Sequence, residues 1–544
     1  MRGAKSAAWV AGAIAVALTA TACGGGSSSK DSAGGAVDPD GVFSYQGVEP
    51  QNPLQPANAN EVGGGRVLDN LFRGLTEFDP KTGALKMAAA EKIETKDSQH
   101  FTVTLKPGWT FHNGEPVTSS SFVDAWNWGA NTKNAQINSS WFEDIKGYED
   151  VHPASGDPKT DKMSGLQVKD DKTFTIELKQ PVSYFQYKLG YVALSPLPKA
   201  FFKDPKGFGQ KPVGNGPYQF VSWDHNVKIT TKRFDNYKGD DKAKNGGVIF
   251  KVYPKPEAAY QDILSNNLDT LDQVDPTDLS KYKQDLGDRA IDQPMAGTVN
   301  IGFAMYDDAW KGVDKAKVRQ GLSMAIDRKS IGEKVLQGSR EPATGFVAPG
   351  TVGYQKNDSD VFKFNPDKAK QLIKEGGGVP GNKLTILYNS DGGHQGWVDA
   401  VCNSITQATG IACDGNPKPD FKTARDLITS KKLKAGEMYR TGWQADYPHN
   451  ASFLADVFRT GAASNDSGYS SKEFDEMADK ADKAKTPEES AKLYGEAEKI
   501  LEKDMPQIPL WYYKSNAGYS THVKNVTYDW IGQPVWTQVE VLKK

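Results

Sequence analysis

The stretch Arg66-Val67-Leu68-Asp69-Asn70-Leu71-Phe72-Arg73-Gly74-Leu75 carries apolar side chains at 67, 68, 71, 72 and 75, the spacing of one face of a helix. A glycine triplet at 63–65 leads into it, and Gly74 is expected to stop it. The period then changes. Phe101-Thr102-Val103-Thr104-Leu105 alternates as a strand, Lys106-Pro107-Gly108 and Asn113-Gly114 are turns, and a helix is expected from about Ser121 through Trp128 with Phe122, Val123 and Trp126 on one face. Helix, strand and helix in succession point to an α/β chain.

The remaining elements keep that alternation. Gly214-Asn215-Gly216-Pro217-Tyr218-Gln219-Phe220 opens a strand, and Lys228 to Lys232 is its hairpin partner. Val318 through Arg328 has helical spacing, and Lys383 to Tyr388 is a strand leading into a helix around Trp397 to Ile405. One late helix is expected at Ser470 with Glu473 as its capping partner, another at Thr486-Pro487-Glu488-Glu489 with Leu493, Ala497, Ile500 and Leu501 as its buried stripe. Leu510-Trp511-Tyr512-Tyr513 then switches to a strand.

The first 22 residues hold Arg2 and Lys5, then an uncharged apolar stretch from Ala7 to Ala22, too short for a membrane span. Ala20-Thr21-Ala22-Cys23 resembles a lipobox, although Ala20 stands where leucine is usual. This implies a signal peptide over 1–22 and lipidation at Cys23, with residues 23–37, rich in Gly and Ser, as anchor and flexible tether. Without residues 1–22 the chain has 64 Lys+Arg against 68 Asp+Glu, a balance that argues against nucleic acid. A mature length of about 520 residues exceeds a single core, so two or more lobes are expected. Cys402 and Cys413 are the remaining thiols, read as one disulfide in an oxidising compartment rather than two free thiols. The seven histidines are scattered without ligand spacing, so neither a metal nor any other cofactor is expected.

One further run stands out: Arg440-Thr441-Gly442-Trp443-Gln444-Ala445-Asp446-Tyr447-Pro448, with a glycine, an aromatic and a carboxylate close together. Taken alone it is also what a buried aromatic and a turn-capping acid look like.

Asn70 to Leu75 with Asp79-Pro80-Lys81-Thr82-Gly83, and Phe101 to Trp109 with Phe111-His112-Asn113-Gly114-Glu115-Pro116-Val117-Thr118, resemble the opening signature of the family 5 extracellular solute-binding proteins, the peptide and nickel receptors of ABC importers. Asn215-Gly216-Pro217-Tyr218 with Trp223, Val318 through Arg328, and Ile508-Pro509-Leu510-Trp511-Tyr512-Tyr513 resemble its later signatures in the same order. The resemblance implies a two-lobed periplasmic-binding-protein-like clamshell with an extra subdomain in the first lobe. By analogy, lobe I would comprise 38–80, 200–292 and 519–544, its extra subdomain 81–199, and lobe II 293–518. It implies a lipid-anchored monomer at the outer face of the cell membrane, passing an oligopeptide to the permease and ATPase subunits of an importer.

A receptor for mixed peptides should hold the ends by charge and the backbone by strand-like hydrogen bonds. In oligopeptide-binding members the acid of a Gly-Trp-x-Ala-Asp-Tyr run pairs with the peptide α-amine, and Asp446 occupies that position. Gly442, Trp443 and Gln444 would offer backbone, and Arg440 would either receive a short peptide's carboxylate or serve a structural acid. Tyr447 and Trp443 are expected to line pockets, Trp443 alternatively being core, with His449 and Asn450 included by proximity. The fold alone does not name the ligand, so an oligosaccharide, metal chelate or haem remains the alternative. An exported hydrolase is more remote, there being no Gly-x-Ser-x-Gly, His-Glu-x-x-His or Cys-x-x-Cys motif.

Overall fold

In the computed structural model, residues 35–543 are described except 60, 254, 255, 276, 420 and 463. Two unusually long strands, Ala290–Phe303 and Gln507–Tyr519, run antiparallel through the middle of an eleven-stranded sheet. On one side the sheet continues through Thr270–Leu271, Val42–Gly47, Gly247–Val252, Lys228–Arg233 and Tyr218–Asp224. On the other it continues through Met438–Gln444, Lys383–Asn389 and Ala412–Lys418. Each side is the floor of one lobe, and the two long strands belong to both.

The pairing of these strands is interrupted between the lobes. Ala290 to Pro294 pair with Gly518 to Lys514, the register shifts, and Thr298 to Gly302 then pair with Tyr512 to Gln507. Pro294 has no N–H to give to a ladder, which suits it to such a break. A bulge of this kind bends and twists the strand locally while the chain stays continuous. A separate four-stranded antiparallel sheet, in the order Ala90–Thr95, His100–Leu105, Thr173–Glu177, Leu166–Val168, packs beneath the helix Ser119–Ala130, whose Phe122 and Trp126 meet Phe174.

The second lobe is pinned by buried arginines. Arg328 donates to the carbonyls of Pro509, Ser323 and Phe362, and Trp511 Nε1 donates to Arg328 O at 2.9 Å. Arg319 Nε donates to the carbonyls of Asp504 and Met505, where the helix Pro487–Asp504 ends with Met505 in the left-handed region. A cation there satisfies carbonyls left over at the helix C-terminus.

Several boundaries differ from the sequence reading. The first helix, Val62–Leu71, ends before Gly74: Phe72 is extended, and the Asn215 side chain bridges Arg73 N and O at 3.0 Å each, as a neighbouring strand would. Gly74 is needed instead because the Leu189 carbonyl passes 2.8 Å from where a Cβ would lie. The run Val318 to Arg328 holds two helices, Val313–Met324 and Arg328–Lys334. Asp327 caps the second by accepting from Ser330 N, and Ser404 Oγ accepts from Asp327 N while donating to Ala325 O. Ser471, not Ser470, caps Lys472–Asp482 by accepting from Phe474 N. Thr486 caps the last helix, with Pro487 at its first position. Tyr494 is buried in that helix's stripe, where Leu493 is only half-buried.

Among the described residues no helix is long and apolar enough to cross a membrane. Cys402 in the helix Gln395–Thr409 is bonded to Cys413 in the strand Ala412–Lys418, across a turn where Gly410 has φ +79°. A loop of that size restricts the unfolded chain, so replacing both cysteines by alanine is expected to lower unfolding stability by ~2–3 kcal/mol. Urea denaturation checks this, and an unchanged midpoint would contradict it.

Candidate binding cleft

The strand Met438–Gln444 has two unequal edges. One is paired antiparallel along its whole length with Gly297 to Phe303. The other meets Lys383–Asn389 only at Met438 and Tyr439. From Arg440 to Gln444 that second edge has no strand partner among the described residues, and the same residues line a cleft of about 2390 Å³ between the lobes. Unpaired backbone donors and acceptors facing a cavity are a template for another extended chain. Gly442 is required on the sheet side, since a Cβ there would lie 2.5 Å from the Thr298 carbonyl.

Ser452 fixes the end of this strand. Its Oγ accepts from Asp446 N at 3.1 Å and Trp443 Nε1 at 3.3 Å, which holds the half-buried indole at the cleft wall. Gln444 reaches across to the first lobe, its Nε2 donating to Ile531 O at 2.9 Å. Tyr447, expected to line a pocket, is instead fully buried behind the wall: its ring stacks on Tyr184 and its hydroxyl donates to Asp456 Oδ2 at 3.0 Å. A phenol needs a partner for its hydroxyl when buried, and Asp456 supplies it. His449 and Asn450 are also fully buried. They fasten the run to the last helix through the carbonyls of Pro487 and Ala491, so neither is placed to touch a ligand.

The cleft is electrostatically unbalanced near Asp446. Burial raises its pKa well above the usual carboxylate range and the Asp456 carboxylate raises it further, while Lys188 acts the other way. By surface area Asp446 is half-buried, and it lines the cleft. Burial likewise pushes Asp456 up to about 7, against the opposing influence of Lys188 and the Tyr447 hydroxyl. Lys188 is already engaged: its Nζ pairs with Asp144 at 2.6 Å and lies 5.6 Å from the Trp141 ring centre. Neither Asp446 nor Asp456 has an ion-pair partner among the described residues, which leaves room for a cation.

Six residues back along the strand the charge is reversed. Arg440 donates to the Tyr513 hydroxyl at 3.2 Å, and its buried Nε has no partner. Arg340 lies 4.7 Å from the Tyr513 ring centre with its Nη1 also buried and unpartnered. Burial alone would raise the Tyr513 pKa, but Arg440 and Arg340 bring it below its ordinary value. Burial, then the same two guanidinium groups, hold His394 neutral with a pKa of about 2. Two buried cations without an acid are suited to an incoming carboxylate.

Asp456 and Arg340 were missed from the sequence. Asp456 had a usable signal, four residues after Ser452 on one helix face, so that both point at the run. Arg340, in Gly338-Ser339-Arg340-Glu341-Pro342, had none, because only the pairing of Arg340–Pro342 with Tyr513 to Trp511 brings it beside Arg440. Among the described residues no three His, Cys, Asp or Glu side chains converge as a metal site.

Residues 84–465 match the family model described as bacterial extracellular solute-binding proteins, family 5 Middle. The oligopeptide-binding protein OppA of Bacillus subtilis is 27% identical over 493 residues, covering 87% of this chain and 88% of that protein. The dipeptide-binding protein DppE of the same organism is 27% identical over 498 residues, covering 88% of each. Among solved structures, Haemophilus influenzae OppA in complex with RPPGFSPFR superposes with a TM-score of 0.79 at 24% identity, covering 93% of this chain and 100% of that one, which establishes the two-lobed fold.

The raised Asp456 pKa has a signed consequence for stability. An acid whose folded pKa exceeds its unfolded value costs nothing below the unfolded value of about 4, and the full cost is reached above about 7. Asp456→Asn is therefore expected to stabilise the protein at pH 8, by ~2–4 kcal/mol, and to leave it little changed at pH 4. Unfolding midpoints at the two pH values test this; an equal effect at both would contradict it.

Proposed function

The chain belongs to the bacterial extracellular solute-binding proteins of family 5, and from that premise we propose that it captures oligopeptides outside the cell in its interlobe cleft and delivers them to an ABC permease. The observation that carries this is the free edge Arg440 to Gln444, with an uncompensated carboxylate beyond one end and an uncompensated guanidinium at the other. A peptide adding to that edge as a strand receives backbone hydrogen bonds that do not depend on its side chains. Its α-amine meets Asp446. In a short peptide the carboxylate meets Arg440, with Arg340 behind it. Of the two roles open to Arg440, the unpartnered Nε favours the receiving one. A neutral oligosaccharide offers Asp446 no cation, which is why the non-peptide reading ranks second.

Lobe I is taken as 38–80, 200–292 and 519–544, its subdomain as 81–199, and lobe II as 293–518, acting as a monomer. The lipid anchor rests on Cys23, which with the whole of 1–34 lies outside the described residues. Cys23→Ala is expected to move the protein from the membrane fraction into the medium; retention in the membrane, with no labelled lipid on the wild type, would contradict the anchor.

The amine site is tested by a two-by-two comparison in calorimetry. Acetylating the amine of a bound peptide should weaken binding by ~3–5 kcal/mol. Asp446→Asn should weaken binding of the free peptide and add little for the acetylated one. Because a bound cation lowers the raised Asp446 pKa, binding should release protons and weaken as the pH falls. Equal losses for both peptides would assign Asp446 a structural role, and failure of a whole peptide library to bind would favour the non-peptide reading.

A further inference from the structure

The lobes are joined covalently along the two long strands, and they touch again at a second place on the border of the cleft. Ser183 and Tyr184 lie on the connection after Thr173–Glu177, and Asp482 ends the helix Lys472–Asp482 of the second lobe. Ser183 N donates to Asp482 O at 2.9 Å, the one backbone hydrogen bond from residues 81–199 to residues 293–518 among those described. The Tyr184 hydroxyl donates to Asp482 Oδ1 at 2.9 Å, and its ring stacks on His449 with centres 4.8 Å apart and planes at 12°.

We propose that Tyr184 and Asp482 form a latch that holds the clamshell closed. The acceptor is built to receive the hydroxyl. Asp482 is buried and is already held on its own side of the cleft by Arg459 and by the Tyr494 hydroxyl, which donates to the same Oδ1 at 2.5 Å. Tyr494 and Asp482 both belong to the second lobe, so that bond survives opening, whereas the Tyr184 bond to Asp482, the 3.3 Å contact between the Tyr184 and Tyr494 hydroxyls and the His449 stack do not. Both Tyr184 and Asp482 line the cleft, so parting them exposes a carboxylate and a phenol to water, which replaces the lost hydrogen bond. The contact is thus reversible. It joins one peptide group and a few aromatic side chains, Trp141 and Tyr187 lying with ring centres 6.1 and 5.9 Å from those of Tyr447 and His449, contacts that ligand exchange can release.

The latch also reaches the cleft wall. The Tyr184 ring stacks on Tyr447 with centres 6.0 Å apart, Tyr447 donates to Asp456, and Tyr447 directly follows Asp446. Closing therefore seats first-lobe rings against the residue beside the wall carboxylate, and anything that stabilises that wall also favours the closed state. This depends on the two-lobed fold and not on the identity of the ligand.

Small-angle scattering of the ligand-free mature protein tests the proposal. Tyr184→Phe keeps the ring and its stack but removes the bond to Asp482, and should shift the closed-to-open ratio about tenfold toward open, read as a larger radius of gyration. Tyr469→Phe removes a hydroxyl that donates to Asp504 at 2.6 Å wholly within the second lobe, and should leave the radius as in the wild type. An unchanged radius in Tyr184→Phe, or an equal increase in both variants, would overturn the latch.

Discussion

Everything in this molecule hangs on the antiparallel pairing of Ala290–Phe303 with Gln507–Tyr519 and on its interruption after Pro294. Unbroken pairing would make one rigid sheet, and loss of pairing would leave two lobes on loose tethers. The structure has ladder hydrogen bonds on both sides of a local break, so each lobe stays rigid and the flexible freedom is confined to a few residues. Two glycines lie close to this region: the Tyr513 ring is 3.0 Å from the Cβ position of Gly297, and the Met295 sulfur is 3.1 Å from that of Gly532. The cleft lies between the two lobes, and its depth follows from the sheet continuing on either side of the break.

That geometry makes the binding wall possible. A strand inside a sheet normally has both edges satisfied, and Met438–Gln444 loses one partner after two residues. The neighbouring strand Lys383–Asn389 instead pairs along its length with Ala412–Lys418, and the Cys402–Cys413 bridge ties that outer strand to the helix before it. The free edge is bounded by charges whose surroundings disfavour them. Asp446 faces Asp456, and Arg440 faces Arg340. Like charges kept close together destabilise the empty protein, and a ligand with the opposite charge at each place relieves them. Binding strength and a measure of instability in the empty state therefore come from the same side chains.

Much of the scaffold was legible in the sequence because it is local. Alternation at Phe101 to Leu105 and at Lys383 to Tyr388, and the Thr486-Pro487 cap, each report on bonds made within a few residues. At two places where the reading slipped, a distant group had intervened. Asn215 ended the first helix at Leu71 by bonding both sides of Arg73, and Ser404 stabilised the break between Ala325 and Asp327. The signature arginines 319 and 328 turned out to serve helix ends and carbonyls inside the second lobe, well within the scaffold.

For the site itself the division is equally physical. Sequence alone determined the alternation that makes an α/β chain, the run that carries Arg440 and Asp446, and the likeness to a family of receptors, because composition and spacing are properties of the chain. Only the tertiary structure decided that Tyr447 is buried behind the wall rather than lining a pocket, that Asp456 and Arg340 join the charged ends, and that one edge of Met438–Gln444 is left free. Those outcomes depend on which strands end up side by side and on how far charges sit from water. The strand pairing and the meeting of Arg340 with Arg440 are set by contacts between residues far apart in the chain, which no local pattern records, whereas Asp456 stands only ten positions from Asp446.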